Sequence, residues 1–80
     1  MNIERFQLKG ILADAKKQFR LKDTEASGLI ILLRSLLNPY IPVTEIDTEK
    51  VMVQVDRLHK IISEMKEKQI QINQMESDLE

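Results

Sequence analysis

Apolar side chains recur through the C-terminal half of the chain at an unbroken seven-residue interval: Val51, Leu58, Met65, Ile72 and Leu79. A column of this kind specifies a long helix with one persistent apolar edge, which another helix has to cover. The helix is expected over residues 48–79. Asp47 or Thr44 would serve as its N-cap, and Glu49 would sit in the first turn, where the positive end of the helix dipole favours an acid. The run Val51-Met52-Val53-Gln54-Val55 resembles a strand taken alone, but the cap before it and the helical spacing after it favour helix. Asp56/Lys60 and Glu64/Lys68 are acid-before-base pairs four residues apart, each worth about 0.3 kcal/mol.

Upstream, Leu8, Ile11, Leu12, Ala15 and Phe19 gather on one side of a helix expected over about residues 2–20. Gly10 weakens it by about 1 kcal/mol relative to alanine. Leu21-Lys22-Asp23 reads as a short connection, with Asp23 or Thr24 capping a second helix over residues 24–38. In that helix Leu29 to Leu33, Leu36 and Leu37 cover nearly the whole circumference. A helix apolar all round is one that neighbours surround, so Leu32, Leu33 and Leu36 are the expected core. Pro39 disfavours a helical conformation at Asn38 and ends the segment. Residues 39–47 form a loop braced by Pro39 and Pro42, with Tyr40, Ile41, Val43 and Ile46 expected to fold back over the helix ends.

The fold class read from this pattern is all-α: a single helical domain over residues 1–80, made of a hairpin of two shorter helices and a long C-terminal helix. Helix lengths then bear on assembly. At 1.5 Å per residue the third helix is roughly 48 Å long, and the first two are about 27 and 21 Å. A compact hairpin of the first two would flank only half of the third, whose C-terminal half would project. Its apolar stripe narrows there to a coiled-coil width. Leu58, Met65, Ile72, Met75 and Leu79 are therefore the expected association seam, for a homo-oligomer, a dimer favoured, and/or a helical protein partner. Lys68 interrupts the stripe and would face its own copy in a parallel pair, which favours an antiparallel arrangement or a different partner. Ile70 lies off the stripe and has no account at this level.

Composition supports association and argues against chemistry. An 80-residue chain buries a modest fraction of its surface and often needs a disulfide, a metal or a partner. There is no cysteine, and the single histidine, His59, cannot build a metal site without several well-placed carboxylates. No cofactor is expected. His59 lies opposite the heptad column with Asp56 and Ser63 a turn to either side, but the three do not converge and no oxyanion cradle accompanies them. Glu45, Asp47 and Glu49 alternate without the glycine and terminal glutamate of a calcium loop. Enzymatic function is not expected. The opening residues lack a signal-peptide hydrophobic region, and the longest apolar stretch falls far short of the roughly 20 residues that span a bilayer. A soluble, cytoplasmic protein is the expected setting.

Charge is uneven. The net charge is −1, distributed as +4 over residues 1–22 and −5 over residues 23–80. Arg5, Lys9, Lys16 and Arg20 fall within an arc of about 60° when projected at 100° per residue. This basic stripe is the candidate contact for an anion or nucleic acid. It lacks the aromatic or glycine-rich companions that stack bases or cradle phosphates, so nucleic acid is the lesser reading. A helix-turn-helix reading fails, because the second helix would have to read bases with Arg34 alone. Leu29-Ile-Ile-Leu-Leu33 and Leu33-Arg-Ser-Leu-Leu37 match a short leucine docking motif, which a buried leucine-rich helix reproduces automatically. Met52 has no assigned role. The expected function is a non-enzymatic protein–protein interaction or assembly module, an adapter, small chaperone-like subunit or regulator, acting through an oligomerising long helix. The alternative is a small nucleic-acid-binding regulator using the stripe on the first helix.

Overall fold

In a computed structural model, which describes residues 3–80 and only the backbone of Ile3, two long helices lie antiparallel along each other. Helix α1 spans Ile3–Leu36 and helix α2 spans Thr48–Leu79. The expected helix start at Asn2 lies outside the described residues. The molecule is a rod of 64 × 15 × 14 Å.

The phase of the apolar positions explains this shape. The non-exposed residues of α1 are Leu8, Leu12, Ala15, Phe19, Lys22, Ala26, Leu29, Leu33 and Leu36, joined by Leu32. Leu32 apart, they alternate by four and three residues without a break. Along α2 the non-exposed positions are Val51, Gln54, Leu58, Ile61, Met65, Lys68, Ile72, Met75 and Leu79, with the same alternation. Two uninterrupted heptad seams facing each other make an antiparallel helical hairpin. Three contacts show that the helices run side by side over their length. Arg5 meets Leu79 at the open end, Lys22 meets Glu64 in the middle, and Ala26 and Leu29 cluster with Ile61, Leu58 and Met65 towards the loop.

Two expectations are corrected here. The described residues form two long helices where three were expected, because Leu21-Lys22-Asp23 does not interrupt α1. Lys22 occupies a seam position between Phe19 and Ala26, so the heptad phase crosses the expected connection intact. The Thr24 hydroxyl donates back to the Arg20 carbonyl at 3.1 Å, a bond made inside a helix and not at its start. As a consequence the C-terminal half of α2 does not project. The single α1, roughly 50 Å long at 1.5 Å per residue, covers α2 to its end, and Ile72 is only 5% exposed.

The leucine-rich segment differs from expectation as well. Leu29 and Leu33 are buried and Leu32 and Leu36 half-buried, but Ile30 and Ile31 are exposed, Ile31 at 67%. With one partner helix, only one face of α1 can be covered. The loop follows its proline signals more closely. After Leu37 donates to the Leu33 carbonyl, Asn38 makes a side-chain turn by accepting from the Tyr40 amide at 2.9 Å. A 3-10 turn at Val43–Glu45 follows Pro42. Asp47 caps α2, its carboxylate accepting from the Lys50 amide at 3.1 Å. Ile41 and Ile46 are half-buried, whereas Tyr40 and Val43 are exposed to solvent.

Candidate interaction surface

The five residues expected to form an intermolecular seam are brought together, but against α1 of the same chain. Ile72 is buried, and Leu58, Met65, Met75 and Leu79 are half-buried. The column read from sequence is therefore the hairpin's internal seam. That seam is thin. Six apolar residues are buried among those described, two of them alanines (Ala15 and Ala26), and no large side chain is fully enclosed.

The four bases of the candidate stripe are divided by the fold. The Arg5 guanidinium donates to the Leu79 carbonyl at 2.6 Å, satisfying an orphan acceptor at the negative end of the α2 dipole. Lys16 pairs with Glu76 at 2.8 Å across the two helices. Lys9 and Arg20 are exposed, with no ion pair among the described residues. Two of the four thus hold α1 to the end of α2.

Of the expected pairs within α2, Asp56–Lys60 forms at 3.3 Å. Glu64 instead takes Lys22 of α1 at 2.5 Å, which removes it from Lys68. This hydrogen bond raises the Lys22 pKa above the ordinary lysine value, against the desolvation of the ammonium, with the charges of Glu64 and then Glu25 adding to the rise. His59, Asp56 and Ser63 are exposed along the outer face of α2. No cluster of three or more metal-ligating side chains occurs among the described residues. Among the described residues no helix is long and apolar enough to cross a membrane.

The feature that sequence reasoning missed lies beside the seam. The Lys16–Glu76 pair joins two columns, one per helix, that border the seam on the same flank. Continued by sevens towards the loop, the α1 column reads Asp23, Ile30, Leu37 and the α2 column Gln69, Ile62, Val55. The flank changes from charged at the open end to apolar at the loop end. Ile30, Leu37, Val55 and Ile62 are all between 37% and 49% exposed. Two recesses indent this stretch. One, of about 340 Å³, is lined by Ile30, Leu33, Arg34, Leu37 and Pro39. The other, of about 260 Å³, is lined by Phe19, Ile62, Met65, Lys66 and Gln69. The opposite flank, with Gln18 and Glu25 on α1 and Lys50, Arg57, Glu64, Gln71 and Asp78 on α2, is mostly polar. The signal was present in the sequence, but it emerges only once Lys22 and Lys68 are placed inside the heptad frame. Comparison of the chain with protein-family models, curated proteins and solved structures finds no match.

Proposed function

We propose that this chain is a non-enzymatic protein–protein interaction module, an antiparallel helical hairpin completed by further helices. The observation that carries the reading is the apolar flank of Ile30, Leu37, Val55 and Ile62, exposed directly beside the seam. A two-helix seam with so little enclosed volume leaves such a flank as the natural site for a third or fourth helix, because bundles bury what hairpins cannot. The expected homodimer belongs to this reading, with two hairpins packed flank to flank as a four-helix bundle. A helix from a different protein would serve the same role.

The test has two measurements on the intact chain: its mass in solution, and selection of a displayed library of amphipathic helical peptides against it. Self-association or enrichment of helices that compete with one another for the flank supports the module. A chain that stays monomeric at about 0.1 mM, a concentration equivalent to about 5.5 kcal/mol of association, and that enriches no peptide overturns it.

Nucleic-acid contact through Arg5, Lys9, Lys16 and Arg20 is the rival reading. It is weakened by the engagement of Arg5 and Lys16 with α2, which leaves Lys9 and Arg20 as its outward bases. It requires steeply salt-dependent binding to a generic duplex.

A further inference from the structure

We infer that the loop-end flank docks an acidic amphipathic helix supplied by another protein. The inference rests on the interaction-module reading and identifies the chemistry of the partner.

Each of the two recesses carries one basic side chain beside its apolar lining, Arg34 in one and Lys66 in the other, and no carboxylate lines either. Neither base makes an ion pair among the described residues. The residues outside the apolar columns continue the pattern. By sevens, the rim reads Arg20, Ser27 and Arg34 on α1, and His59, Lys66 and Asn73 on α2, all exposed. The columns of the flank itself carry Asp23, which the Lys16–Glu76 register sets opposite Gln69 but which lines neither recess. An apolar trough with a rim that is basic or neutral along both sides is complementary to a helix with one apolar face and acidic shoulders.

The same rim disfavours a second copy as the occupant. Packing two such flanks together, parallel or antiparallel, brings bases against bases around an apolar centre. Like charges in that position select against the pairing. Dimension fits a single guest helix. The recesses are separated along the rod by about 12 residues of rise, roughly 18 Å or three turns. Apolar anchors at i, i+4, i+7 and i+11 of a guest helix would reach both, with acids beside the first and last.

The experiment is a selection on the full chain using a displayed library of four-turn helices. Leucine is fixed at those four anchor positions, and Glu, Gln or Lys is drawn at the flanking positions. The expected result is enrichment of Glu over Lys at the flanks by at least about tenfold, about 1.4 kcal/mol of discrimination. The double variant Arg34→Glu, Lys66→Glu should reverse that preference, and Arg34→Gln, Lys66→Gln should abolish it. Both pairs alter exposed positions, and circular dichroism verifies that the helices persist. Peptides enriched without charge preference, or a preference unchanged in the variants, overturn the acidic partner while leaving the module intact. A stable dimer of the chain that Ile62→Ser dissociates would place a second copy on the flank and overturn it too. Absence of any enriched peptide on a monomeric chain overturns both readings.

Discussion

The ammonium of Lys22 and the carboxylate of Glu64 meet at 2.5 Å, joining α1 to α2 near the middle of the rod. Lys22 stands at a seam position, so its stem lies between the helices while its charged end reaches the flank. The contact raises the Lys22 pKa, and the sign of its pH effect follows. A base whose folded pKa lies above its unfolded value stabilises the fold fully below the unfolded value and loses that contribution as pH rises through the folded one. Stability should therefore decline above the ordinary lysine value of 10.5. Denaturant midpoints measured across that alkaline range should show a fall in the parent chain that is reduced in Lys22→Met.

Ile72→Ala should destabilise the hairpin by about 2–4 kcal/mol, comparable to Ile61→Ala, because both side chains are buried in the seam. The comparison is informative about the far end of α2. Were that half unsupported by α1, the Ile72 substitution would leave the unfolding midpoint of the isolated chain nearly unchanged.

Lys68 is half-buried at a seam position and forms no ion pair among the described residues. Lys68→Leu should raise stability by about 1 kcal/mol, since polar residues at seam positions cost stability while fixing register and oligomer state. Urea unfolding would measure the gain, and sedimentation would reveal any accompanying change in association.

Gly10 and Gly28 both lie within α1, and a β-carbon added at either meets nothing within 4 Å. Replacing each with alanine should stabilise the chain by about 1 kcal/mol, from reduced unfolded-state freedom and better helix propensity. A loss at Gly28 would indicate that a partner's backbone approaches there, and the thermal midpoint decides it.

Asp47→Ala should cost about 1 kcal/mol by removing the cap on the Lys50 amide. Asp47→Asn, which keeps an acceptor, should recover most of it. Hydrogen exchange in the first turn of α2 would localise the effect.

The sequence alone determined the helical class and the extent of α2, and narrowed its cap to Asp47 or Thr44, because heptad spacing and capping are local rules; the structure selects Asp47. It also contained the four-and-three alternation from Leu8 to Leu36. That alternation was obscured because Lys22 fills a seam position, and a polar residue between Leu21 and Asp23 looks like a turn. Only the tertiary structure decided which helix covers α2. A seam states that it needs a partner, and the partner's identity depends on whether α1 stays straight through Lys22, which the Glu64 contact across the pair supports. The same arrangement decided which apolar residues face outward. Ile30 and Leu37 have no polarity signature that separates them from Leu29 and Leu33. The heptad frame sets them on the flank once Lys22 is placed in it, but their exposure follows from the number of helices packed around α1, a property of the assembled pair.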